Sequence, residues 1–114
     1  MPYITVNTNQ SLNEASRKSL CQQLSAAVAQ LLNKPERYVM VSLMVQQQML
    51  FAGSDDPCAY VELKSIGLPV SRCQNISAAL CDLLSSQLTV NSDRIYIEFS
   101  DAAANLWGWD RTTF

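Results

Sequence analysis

A weak alternation of apolar and polar positions from Tyr3 to Thr8 predicts a strand at the start of the chain. The period then becomes helical: Leu20, Leu24, Val28 and Leu31 form one apolar stripe on an otherwise polar segment. Ahead of it, Ser11-Leu12-Asn13-Glu14 has the form of a capping box, with Ser11 bonding forward to the Glu14 amide and Glu14 reaching back. Asn33, followed by Lys34-Pro35, ends that helix, because proline disfavours the helical conformation in the residue before it. Arg37 to Val45 reads as a second strand. Its apolar core predicts burial on both sides.

The second half repeats this grammar. A turn cluster, Gly53-Ser54-Asp55-Asp56-Pro57, precedes an alternating strand from Cys58 to Ile66. Ser71-Arg72-Cys73-Gln74 offers another capping box, and Ile76, Leu80, Leu83, Leu84 and Leu88 form a second helical stripe. After Asn91-Ser92-Asp93, residues Arg94 to Phe99 alternate as a strand. An acid–arginine pair, Glu36-Arg37 or Asp93-Arg94, opens the strand after each helix. The pattern predicts two tandem β-α-β units in one α/β domain, residues 1–114: a two-layer sandwich with four strands and two helices on one face. The other sheet face, carrying Met40, Ser42 and Met44 or their alternates, then calls for a cover. Self-association is the economical one.

Charge and composition remove whole classes of function. With 8 Lys and Arg against 10 Asp and Glu, no basic stripe is available to neutralise phosphates, which argues against nucleic-acid binding. The longest apolar run, Val39 to Val45, is interrupted by Ser42 and far too short to span a membrane. The first residues lack the basic-then-apolar form of a secretory signal, so the cytoplasm is the expected location. The absence of histidine removes His-dependent triads and most catalytic zinc sites. Four cysteines, Cys21, Cys58, Cys73 and Cys81, form no CxxC pair and read as free thiols packed like small apolar residues. Neither a metal nor a cofactor is expected.

Pro2 is the candidate for chemistry. Methionine before a small residue such as proline is routinely trimmed, which would turn the Pro2 nitrogen from a non-basic amide into a secondary amine. A terminal amine titrates at about 7.7–8.0, and desolvation or a nearby cation lowers it further, into the range where a general base works best.

With these residues in view, the chain resembles the macrophage migration inhibitory factor family, within the tautomerases that use an N-terminal proline. The likeness is carried by Pro2 with Val6-Asn7-Thr8-Asn9, by Asn33-Lys34-Pro35 with Tyr38, and by Gly53-Ser54 with Pro57-Cys58-Ala59. Ser65-Ile66-Gly67, Asp93-Arg94-Ile95-Tyr96-Ile97, Ala104-Asn105, Gly108-Trp109 and Thr113-Phe114 complete it. The resemblance implies a homotrimer whose bare sheet faces line a central channel, with active sites between subunits. It also implies cofactor-independent keto–enol tautomerisation of phenylpyruvate-like or dopachrome-like compounds. Pro2 would be the base, and Lys34 would hold the substrate carboxylate or polarise its carbonyl. The Ser65-Ile66 backbone would add hydrogen bonds, and Tyr96 would arrive from the adjacent subunit. Tyr38, Trp107 and Phe114 would wall the pocket.

Taken without the resemblance, Lys34 reads first as a cation complementing a helix C-terminus, and Tyr96 is equally a sheet residue at a contact between copies. Trp109 reads as an anchor for the C-terminal segment. Three departures from the family pattern stand out. Cys58-Ala59-Tyr60-Val61 keeps only the first thiol of the vertebrate CxxC, which argues against a thiol–disulfide activity. Glu98 replaces an asparagine, bringing a carboxylate that would oppose an anionic substrate unless it pairs with Lys34 or another cation. Trp107 replaces a small aliphatic residue and would narrow the mouth. A cytokine-like binding role with a vestigial pocket, engaging a receptor, is the alternative function. Decarboxylase or dehalogenase chemistry is a third, and it would want an arginine in the pocket, where Arg37, Arg72 and Arg94 have no evident place.

Overall fold

Residues 1–114 are described by a computed structural model. The first strand, β1 (Tyr3–Thr8), is followed by α1 (Glu14–Leu32), β2 (Met40–Met44), β3 (Ala59–Ile66), α2 (Cys73–Leu88) and β4 (Ile95–Ala102). The sheet order is β2-β1-β3-β4. Strand β1 runs parallel to β2, β3 runs parallel to β4, and the two pairs join antiparallel through β1 and β3. Each half is therefore a β-α-β unit, because parallel neighbours require a crossover and the helix supplies it. The α/β class expected from the periodicity is the one observed.

Both helices lie on one face of the sheet and meet it through the predicted stripes. Ile4, Val6, Val61 and Leu63 are fully buried from the sheet side, against Leu20, Leu24 and Val28 of α1 and Leu80 and Leu84 of α2. Full burial of such side chains contributes roughly 1.5–3 kcal/mol each before conformational entropy is charged against it. The α1 stripe closes at Leu32 rather than Leu31, which packs only at the margin of the core.

Local chemistry departs from the sequence reading at the helix starts. The N-cap of α1 is Asn13, not Ser11: the Asn13 side chain accepts from the Ser16 amide at 2.8 Å. An Asn immediately ahead of Glu14 reaches the same kind of orphan donor that the capping box would have satisfied two residues earlier. Helix α2 has no side-chain cap at all; a 3-10 turn, Val70–Arg72, leads into it instead. The second strand also begins later than expected. Glu36–Tyr38 forms a 3-10 turn, closed by the Tyr38 amide on the Pro35 carbonyl at 3.1 Å, so the acid–arginine pair precedes the strand. Asp93-Arg94 does the same within Ser92–Arg94.

The bare sheet face is more polar than the sequence suggested. Register puts Tyr3, Thr5 and Asn7 beside Met40, Ser42 and Met44 on one side, and beside Lys64, Glu62 and Tyr60 on the other. Tyr96, Glu98 and Ser100 extend the row across β4. Within the chain, β2 is not buried on both sides as expected: Val41 and Leu43 are half-buried against the core, and Met40 is 66% exposed. Lys64 pairs with Glu62 at 3.6 Å on this face. No helix is long and apolar enough to cross a membrane.

Candidate active site

Sheet register assembles the first part of the site. Pro2 is buried, and its carbonyl accepts the Met40 amide at 3.0 Å, which fixes the proline against the start of β2. Because Tyr3 stands opposite Lys64 in an antiparallel pair, continuing that register sets Ser65 beside Pro2 and Ile66 beside Met1. Ser65 is fully buried, and its hydroxyl donates to the Ile66 carbonyl at 3.1 Å.

Lys34 arrives through the end of α1. Asn33 adopts the left-handed conformation at φ 53°, tolerable for asparagine, and donates its amide to the Gln30 carbonyl at 3.2 Å. The Lys34 amide reaches the Ala29 carbonyl at 2.9 Å, completing a Schellman closure. This aims Lys34 at the chain start. Burial lowers the pKa of the Met1 amine below its ordinary value, and the positive charge of Lys34 lowers it further. Lys34 has no carboxylate within ion-pair distance, since the single ion pair in the chain joins Lys64 and Glu62. An unpaired ammonium beside a partly desolvated amine is an anion site with a base next to it.

A cavity of about 240 Å³ opens from this point. Met1, Arg37, Tyr38, Val39 and Met40 line one side, and Trp107, Gly108, Trp109 and Phe114 the other. The second side is held by a short hairpin of β5 (Gly108–Trp109) and β6 (Thr112–Thr113). Its two-residue turn, Asp110-Arg111, has positive φ at both positions, as a hairpin turn matching strand twist requires. Trp109 and Phe114 stack at 5.5 Å, and the Tyr38 ring meets both edge-on at 6.0 and 6.2 Å. The Phe114 amide donates to the Trp107 carbonyl at 3.2 Å, so the last residue is tied into the wall.

Of the residues singled out from the sequence, Pro2, Lys34, Ser65, Ile66, Tyr38, Trp107 and Phe114 gather at this end of the sheet. Tyr96 and Glu98 do not. Tyr96 is level with Tyr60 and hence with Asn7, two strands away and five residues along, roughly 20 Å from Pro2. It is 64% exposed and borders a second cavity of about 240 Å³, lined by Met49, Leu50, Phe51, Ala52, Cys58, Ala59 and Tyr60. Glu98 accepts the Tyr60 hydroxyl at 2.7 Å instead of meeting Lys34. That bond is the main reason the Tyr60 phenol is pushed up to about 12.

Val39, Met40 and Gly108 line the cavity without having been expected there, as do two residues of more chemical weight. Trp109, taken as an anchor, is part of the wall, and Arg37, given no place in a pocket, borders the cavity. The signal for both was their neighbours, Tyr38 and Trp107. Arg94 and Arg72 lie elsewhere. Arg94 donates to the carbonyls of Phe51, Ser54, Asp56 and Pro57 at 2.9–3.2 Å and so knots the loop before β3. All four cysteines are free, and burial pushes the Cys81 thiol up, away from nucleophilic character. No three His, Cys, Asp or Glu side chains converge as metal ligands would.

Comparison with known proteins follows the same lines. A family model described as macrophage migration inhibitory factor matches residues 1–114. The chain is 41% identical over 118 residues to macrophage migration inhibitory factor of Mus musculus, covering 100% of this chain and 99% of that protein. A homolog from Brugia malayi is 41% identical over 115 residues, with the same coverage. Among solved structures, a macrophage migration inhibitory factor homologue from Prochlorococcus marinus superposes with a TM-score of 0.92 at 43% identity, over 98% of each chain.

Proposed function

The chain belongs to the macrophage migration inhibitory factor family, and from that premise we propose that it is a cofactor-independent keto–enol tautomerase with Pro2 as its base. The observation that carries this reading is the chain-start amine, lowered by burial and by an unpaired Lys34, at the inner end of an aromatic cavity. Loss of Met1 moves the amine inward by one residue, to the buried Pro2 position, and opens the cavity to it. A phenylpyruvate-like 2-oxo acid then enters with its carboxylate on Lys34 and the Ser65-Ile66 backbone beside it. Tyr38, Trp107 and Phe114 enclose its ring. The neutral proline nitrogen takes a proton from the carbon next to the carbonyl, the C–H electron pair becomes the enol double bond, and the prolinium returns the proton to the carbonyl oxygen. A cavity of this size, below the about 300 Å³ at which drug-sized pockets begin, suits a single small acid.

Assembly belongs to the same proposal. Exposed Tyr96, the exposed Leu50 beside it and the uncovered sheet face are accounted for if three copies close into a ring. Tyr96 and Glu98 of one copy then approach the Pro2 cavity of the next. The test is enolisation of phenylpyruvate by the trimmed protein, with trimming checked by intact mass. Pro2→Gly keeps an amine but alters its basicity and position, and is expected to lower kcat/KM by about 10²-fold or more. Unchanged turnover in that variant would discard Pro2 as the base.

A further inference from the structure

One cation at the cavity is left over by the proposed reaction. Arg37 lies on the 3-10 turn Glu36–Tyr38, three residues past Lys34, and borders the cavity beside Tyr38. Its guanidinium sits over the Tyr38 ring, 4.8 Å from the centroid. Stacking of this kind fixes the plane of the group while leaving its edge donors free, a geometry suited to gripping a carboxylate with two parallel bonds. Nothing in the chain takes up those donors. Within one copy Arg37 has no ion-pair partner, its side chain bonds to no acceptor, and no Asp or Glu lines the cavity; the Glu98 that a neighbouring copy brings is already bonded to its own Tyr60. Arg94, at the matching position of the second half, also stacks on a ring, that of Phe51 at 5.1 Å, but has four carbonyls on its donors. The unsatisfied donors of Arg37 are thus peculiar to the first half, and they stand over the aromatic wall, whereas Lys34 stands at the chain start.

We propose that Arg37 is a specificity-determining residue that receives a second anionic group of the substrate, so that the site favours 2-oxo acids carrying a distal carboxylate over monoanions of similar shape. The inference rests on the enolisation reading above and names the substrate class of the same site. A ligand held by its 2-oxo carboxylate at Lys34 runs along Tyr38, Trp107 and Phe114 and presents its far end to Arg37. Because Arg37 is exposed, its contribution is screened by salt, and the preference shrinks as ionic strength rises.

The test compares phenylpyruvate with 4-carboxyphenylpyruvate as substrates of the trimmed protein. Wild type is expected to prefer the diacid, and Arg37→Gln to reduce the ratio of the two kcat/KM values by about tenfold, through KM rather than kcat. Arg37→Lys, which keeps the charge but not the planar fork, should retain an intermediate ratio. An unchanged ratio in Arg37→Gln, or a wild-type preference for the monoacid, overturns the inference. Quenching of Trp107 and Trp109 emission, titrated with the same two acids, gives the ratio of Kd values without any turnover. If neither acid is enolised by wild type, the tautomerase reading fails, and that binding ratio alone decides the role of Arg37.

Discussion

The two halves of the molecule share a plan and divide the labour. Each runs strand, helix, 3-10 turn, strand, and each sets an arginine over an aromatic ring beside a cavity of about 240 Å³. In the second half Arg94 has its donors filled by the loop carbonyls before β3, and the neighbouring cavity is lined wholly by apolar and aromatic side chains. In the first half Arg37 and Lys34 are both unpaired, and the cavity lies at the chain start. The helix ends run the other way: α1 has a side-chain cap and an asparagine stop, whereas α2 has no cap and stops on Thr89 at φ 56°. At the paired arginines, one half keeps its donors available and the other ties them down. Equivalent positions in a repeated fold can therefore carry opposite consequences, and substitution at paired positions separates them.

The largest separation is expected at the arginines. Arg94→Ala removes four hydrogen bonds from a charged donor and should cost about 3 kcal/mol after discounting for exposure, read as a lowered urea midpoint. Arg37→Ala should cost about 0.5 kcal/mol, the worth of an exposed cation–π contact. Equal losses would erase the contrast. Next comes Lys34→Ala, expected to lower kcat/KM for phenylpyruvate by about 10²-fold, whereas Asn91→Ala, the matching position of the second half, leaves it unchanged. The same Lys34 variant removes a cation that disfavours protonation of the nearby amine. The amine then keeps its proton to higher pH, so the acid limb of the kcat/KM profile should move upward; a downward move would exclude Lys34 as the cause of the lowered basicity.

Smaller effects belong to the helix ends. Asn13→Ala should destabilise by about 1 kcal/mol through loss of the Ser16 amide bond. Thr89→Gly should stabilise by about 0.5–1 kcal/mol, because a β-branched residue is strained in the left-handed region. A thermal scan of the two variants against wild type reads both signs.

Periodicity made the layers legible: the alternation of β3 and the stripes of both helices map onto buried positions, except that Leu31 and Leu83 pack only at the margin. Competition among local hydrogen-bond partners was less legible. Ser11 and Asn13 both suit an N-cap, and only the path of the chain into α1 decides between them. Pro35 likewise hid the 3-10 turn, since its carbonyl rather than its ring fixes Tyr38 and delays β2 to Met40. At the site, Pro2 could be singled out from its own chemistry, whereas Lys34 entered only through the family resemblance, because a lysine just past a helix end is ordinary by itself. Arg37 could not be named, because a turn of three residues decides which way it points. Glu98 was placed on the correct sheet face beside Tyr96, but its partner came from β3, a pairing that depends on register across strands.

The bond between the Pro2 carbonyl and the Met40 amide has a practical corollary. With its acyl side stitched into the ladder, the imino ring has one free end, and the residue attached there, Met1, borders the aromatic cavity. Any leader, affinity tag or fusion partner appended at the front would cork that cavity while the rest of the globule folds undisturbed. On the proposed mechanism such a preparation would look sound by every spectroscopic criterion yet lack its base, so purification handles belong behind a cleavable junction that restores proline as the leading residue.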